Sequence, residues 1–197
     1  MEMIYLGRYT LEFDAKTFKV LCPLKKKKFS GLATSALPKL YVISAEGYQY
    51  PVYVGMTKQS MGNRLRLGWK ADGKNGYHGY AWRRHFATAA LDIWCHTDAI
   101  EGNCIDVETV EAEMVYLIRQ AGQWPAFQTE IHFHKSTAEH RKVAGEIGAR
   151  YGLGPEVNQE KAEESSSHNR NFRNSAELIK GWKSHETLQI YDRQARL

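Results

Sequence analysis

Two stretches, Leu40-Tyr41-Val42-Ile43-Ser44-Ala45 and Tyr50-Pro51-Val52-Tyr53-Val54-Gly55, decide how this chain is read. Both are rich in β-branched and aromatic residues, and the short Glu46-Gly47 turn between them suits a hairpin, so two antiparallel strands are expected. Pro51 has no amide hydrogen for a ladder and belongs near a strand start or on a sheet edge. Downstream, Leu91 to His96 is short and apolar and reads as a third strand. Upstream, Met3 to Phe13 alternates apolar and polar residues at period two and suggests a further strand.

The flanking segments read as helices and loops. Ser60 to Lys70 is basic, and Ala71 to Gly79 carries three glycines and an asparagine, which marks a loop. Ala81, Trp82, His85, Phe86, Ala89 and Ala90 recur at helical spacing, with Arg83 and Arg84 on the other face. Asn103 to Asp106 supplies capping chemistry for a helix with the stripe Val107, Val110, Met114, Leu117, Ile118 and Ala121, closed by Gly122. Ser136 and Glu139 form a capping-box pattern for the next helix, whose apolar face includes Ala138, Val143, Ala144 and Ile147. Gln159 to Asn174 is polar and reads as a linker or mobile loop, and a last short helix is expected near 176–184.

A chain of 197 residues can bury one core or two small ones, and 43% hydrophobic with 25% charged residues excludes collagen-like and wholly disordered classes. No segment approaches the roughly 20 apolar residues that span a bilayer, and Met1-Glu2-Met3 opens without a basic patch and apolar run. An unprocessed cytoplasmic protein is expected. Lysine and arginine number 27 against 22 acids, a net charge of +5, which favours an anionic partner such as nucleic acid. Cys22, Cys95 and Cys104 are odd in number and form no C-x-x-C pair, against a disulfide framework or a four-thiolate zinc site. Lys25 to Lys28 reads as a solvated turn.

Phosphoryl chemistry needs a group that orients or deprotonates a nucleophile, a cation against developing charge, and an acid. Tyr41 and Tyr53 lie twelve positions apart (53 − 41) across the turn, so whether they share a face depends on that turn. Arg64 follows eleven positions after Tyr53, and Glu113 flanks the helical stripe, where periodicity alone cannot choose between it and Glu111. Convergence of these residues on one solvent-accessible spot is the expectation. His132, His134 and His140 are a weaker constellation, since an H-x-H on a strand is usually exposed and no fourth ligand accompanies it. The glycine-rich stretches lack the lysine and hydroxyl of a phosphate-binding loop, so no nucleotide cofactor is expected.

Here the chain resembles the GIY-YIG nuclease superfamily. Lys39-Leu40-Tyr41 stands where the first motif ends in tyrosine, without its glycine and isoleucine. Val52-Tyr53-Val54-Gly55, followed by Met56-Thr57, is similar to the second motif. Arg64-Leu65 resembles the arginine-leucine that follows, and Glu113 before Tyr116-Leu117-Ile118 resembles the metal-binding glutamate. Pro125-Ala126-Phe127-Gln128 resembles a later proline-to-asparagine segment, with glutamine replacing asparagine. The family's histidine or tyrosine four residues after the arginine is Gly68 here, and His78 or His85 are the available substitutes.

The resemblance implies an α+β fold whose core, 39–128, is a small three-stranded antiparallel sheet flanked by helices, with an N-terminal extension (1–38) and a mainly helical region (129–197) for specificity or dimer contacts. It implies a metal-dependent endonuclease cutting double-stranded DNA as a homodimer, most like the stand-alone type II restriction enzymes of bacteria or phage. Tyr41 would act on the attacking water with Tyr53 assisting, Arg64 would hold the scissile phosphate, and Glu113 would bind magnesium or manganese. Lys58, Arg66, Lys70, Arg83, Arg84 and Gln128 are the expected DNA contacts. A structure-selective nicking enzyme of repair and a DNA-binding protein without catalysis are the competing expectations.

Overall fold

A computed structural model describes residues 1–13, 18–21, 29–70, 82, 85–99, 103–128 and 130–154. Met1–Pro155 forms one compact unit. Its elements are β1 (Met3–Phe13), β2 (Phe18–Leu21), a 3-10 turn (Gly31–Thr34), β3 (Lys39–Ser44), β4 (Tyr53–Thr57), α1 (Met61–Lys70), β5 (Thr88–His96), α2 (Ile105–Gln120) and α3 (Ala138–Ala149). The strands form one antiparallel sheet in the order β2-β1-β5-β3-β4.

Five strands replace the expected three. The alternating stretch at the N-terminus is part of the main sheet: β1 pairs with β5 from Met3↔His96 to Glu12↔Thr88, on the side of β5 that β3 does not occupy. The three-stranded core implied by the family resemblance is therefore corrected. The hairpin of β3 and β4 forms as expected, and Pro51 lies just before β4, an edge strand. Ala89 and Ala90, read as helical, belong to β5, where they face Leu11 and Thr10. Alanine favours helix locally, and here the long-range ladder overrides that preference.

Two apolar layers cover the sheet. On one face Tyr9, Leu11, Tyr41, Ile43, Leu91 and Ile93 pack with Met61 and Leu65 of α1. On the other, Leu40, Val42, Val54 and Trp94 pack under α2 and α3. The main helix closes as its sequence suggests: Gly122 takes φ +87°, its N–H donates to the Arg119 carbonyl at 3.0 Å, and the Gln123 N–H donates to the Ile118 carbonyl at 3.2 Å. Asn103 accepts from the Ile105 N–H at 2.9 Å at the other end. The capping box of α3 falls one residue later than expected, on Thr137 and His140, because Thr137 is the extended residue that precedes the helix.

A bulge in β1 builds a polar knot beneath α3. Tyr5 faces Trp94 and Gly7 faces Ile93, so Leu6 is inserted, and Gly7 absorbs the kink at φ +116°. The inserted residue brings Tyr5 and Arg8, three positions apart, to the same face, which regular alternation would forbid. Both converge on the fully buried Asp92. Its carboxylate accepts from the Tyr5 hydroxyl at 2.7 Å, from Arg8 Nη2 at 2.8 Å and Nε at 3.1 Å, and from the Tyr151 hydroxyl at 2.8 Å. The Arg150 guanidinium lies 3.8 Å over the Tyr5 ring.

Among the described residues no helix is long and apolar enough to cross a membrane. Cys22, the lysine run at 25–28, the glycine-rich loop with His78, Arg83, Arg84, the polar stretch at 159–174 and the expected helix at 176–184 lie outside the described residues.

Candidate functional site

The hairpin register settles the relation of the two tyrosines. Tyr41 pairs with Gly55 and Ile43 with Tyr53, so both phenols point to the α1 face as diagonal neighbours, ring centroids 5.8 Å apart. Gly55 permits this. A Cβ there would lie 2.6 Å from Cζ and the hydroxyl oxygen of Tyr41 and 2.7 Å from Cε1 of Tyr53. Gly55→Ala must displace both rings, and a loss of about 1–3 kcal/mol in urea unfolding is expected. An unchanged midpoint would mean the rings are not held as described.

Arg64 reaches the pair from the first turn of α1, and its Nε donates to the Tyr41 hydroxyl at 3.1 Å. The acid that joins them is Glu111. Buried Val107, Val110, Met114, Val115 and Ile118 of α2 surround the helical position of Glu111, which is itself only 6% exposed. Glu113, two residues on, is turned about 200° away at helical pitch and is half-exposed.

Gln128 locks Glu111 to the sheet edge. Its Oε1 accepts from the Val54 N–H of β4 at 3.1 Å, and its Nε2 donates to Glu111 Oε1 at 3.2 Å and to the Glu130 carbonyl at 2.9 Å. All three bonds are internal and Gln128 is buried, so it organises the cluster from within. Burial pushes the Glu111 carboxyl up to about 8; Glu108 and Glu130 push the same way, while the Gln128 bond and the Arg64 charge oppose them. Burial also raises the Tyr53 phenol well above its usual range, reinforced by Tyr41 and Glu111. Tyr53 is therefore a neutral donor, not a base.

Tyr41 is fully buried. It lies out of reach of an attacking water, and its hydroxyl accepts from Arg64. Tyr53 and Arg64 are half-exposed, so the solvent-facing part of the cluster is smaller than expected. Lys58, Arg66 and Lys70 are exposed around α1. The His85 ring lies 5.0 Å from that of Phe127, tilted by 40°, and Phe127 is next in sequence to Gln128.

Comparison with protein-family models, curated proteins and solved structures finds no match. With the five-stranded sheet, this removes the GIY-YIG resemblance as support for the nuclease reading. The metal-binding expectation is corrected in one respect: among the described residues no group of three or more His, Cys, Asp or Glu side chains is placed to hold a metal ion, so no cluster of ligands there supports it. The three histidines disperse: His132 approaches Glu130, His134 bonds Glu108, and His140 bonds Asp106.

Sequence periodicity left Glu111 and Glu113 open, the resemblance chose Glu113, and Glu108 was passed over. A signal existed, since Glu108 and Glu111 are three apart and share a helix face, with Glu111 inside the buried stripe. An acid inside such a stripe is costly unless something requires it there.

Proposed function

We propose that the cluster of Tyr53, Arg64, Glu111 and Gln128 binds a phosphodiester of DNA and hydrolyses it. The observation that carries this reading is the pairing of a phenol-anchored guanidinium, Arg64 Nε donating to the Tyr41 hydroxyl at 3.1 Å, with a Gln128-held carboxyl whose burial favours its protonated form. An ionised acid beside Arg64 would cancel its charge and repel a phosphate. A protonated one leaves the site cationic, and a guanidinium fork suits two phosphate oxygens. The excess of basic residues, with Lys58, Arg66 and Lys70 exposed nearby, supports an extended anionic partner.

One buried carboxyl does not make an all-protein cage, but its chemistry fits a single, mostly hydrated magnesium or manganese ion. Glu111 would hold it only as the carboxylate, the ion taking the place of the proton, and such an ion would supply charge neutralisation and an activated water. The chain's own residues do the rest: Arg64 orients the phosphate, Tyr41 fixes Arg64, Tyr53 donates to a phosphate oxygen, and Gln128 aims the carboxyl. Cutting both strands with one such site per chain calls for a homodimer.

The test is incubation with supercoiled plasmid DNA and magnesium or manganese, read on a gel. Conversion to nicked or linear DNA is expected, and Arg64→Ala should reduce it by roughly a hundredfold or more, as when a charge-stabilising donor is removed. No conversion with either ion overturns the reading. Nicked circles alone would fit action on one strand, and linear products the paired arrangement.

A further inference from the structure

Gln128 and residues 130–137 lie outside helix and strand, yet they are pinned along α2 at two points. At one, Gln128 bonds Glu111; at the other, six residues on, His134 Nε2 meets Glu108 Oε2 at 2.6 Å. Glu108 precedes Glu111 by three residues, so the two pins sit on one face of the helix about one turn apart. The histidine side chain is 30% exposed and its carboxylate partner 18%, a pair open to solvent on one side. An imidazole oriented by a carboxylate through one ring nitrogen is the arrangement that leaves the other nitrogen free to transfer a proton in a fixed direction.

We propose that His134, positioned by Glu108, is the proton donor to the leaving oxygen in the phosphodiester reaction described above, on which this inference rests. Water oxygen forms the new bond to phosphorus as the bond to the leaving sugar oxygen breaks. That oxygen takes the electron pair and a proton from Nδ1 of the imidazolium. The proton lost by the water passes to solvent, which later reprotonates His134. Glu108 remains bonded to Nε2 throughout and acts as a positioning residue.

A purely structural alternative is that the bond only fastens the 130–137 segment. The two separate through leaving-group chemistry. An alkoxide needs a proton as it departs, whereas nitrophenolate does not. His134→Ala is expected to lower cleavage of plasmid DNA by roughly a hundredfold or more, and to leave hydrolysis of bis(p-nitrophenyl) phosphate within a few fold of wild type. Glu108→Gln should show the same split at smaller amplitude, and His134→Gln, which keeps a hydrogen bond to Glu108, should repeat the loss on DNA. Equal losses on both substrates, or none on DNA, overturn the proton-donor role while the wild-type activity still stands. If the wild type cleaves neither substrate, the phosphodiester reading falls and this inference falls with it.

Discussion

Glu111→Gln is expected to abolish DNA cleavage while making the protein more stable above neutral pH. The two effects share one cause. Folding places this carboxyl where its ionised form is poorly solvated, raising it from 4.5 to about 8. A raised value means the folded state prefers the proton, so the stability it contributes is intact below about pH 4.5 and is lost as pH rises through 8. Glutamine has no proton to lose and keeps an oxygen for Gln128. By linkage the variant should gain roughly 3 to 5 kcal/mol over wild type at pH 9 and nothing at pH 4.5. Urea unfolding at the two pH values checks this, and parallel behaviour across the range would show that Glu111 ionises freely. DNA binding should survive, because Arg64 and the exposed lysines and arginine are untouched.

The largest purely structural effect is expected at Asp92. Alanine there removes the acceptor of Tyr5, Arg8 and Tyr151 together, leaving two partly buried phenols without their acceptor while the exposed Arg8 side chain turns to water. Each phenol left without its acceptor costs about 1–3 kcal/mol and the exposed Arg8 adds little, so the two together take a large share of a domain's stability. Circular dichroism during thermal unfolding should show a midpoint lower by many degrees, and a shift within error would mean the knot contributes little. Unlike the Glu111 variant, this one should lose catalysis only in proportion to the fraction unfolded.

How much of this was legible beforehand follows from the range of the interactions. The β3–β4 hairpin, the α2 stripe and its Gly122 closure are local, and their periodicity and turn chemistry can be read along the chain. The face shared by Tyr41 and Tyr53 needed the register across the turn. The place of β1 needed a partner some ninety residues away (96 − 3), which no local pattern names. The bulge at Leu6-Gly7 was equally hidden, although it alone puts Tyr5 and Arg8 beside Asp92. In the site, Arg64 and Tyr53 stood out by type and spacing, but the choice between Glu111 and Glu113 turned on which side of α2 meets the segment carrying Gln128. The role of Tyr41 changed for a similar reason: a residue type suggests chemistry, and only packing says whether water reaches it.

The insertion of β1 beside β5 also bears on how the chain can be dissected. A fragment starting at Lys39 would keep the hairpin, Arg64 and Glu111, but it would unzip β5 along one whole flank and strip Asp92 of two of its three donors. Naked strand flanks recruit one another, so such a piece would be prone to clump before its chemistry was ever assayed. The first thirteen residues are thus a splint for the part that carries the candidate site, and any shortened version has to retain them.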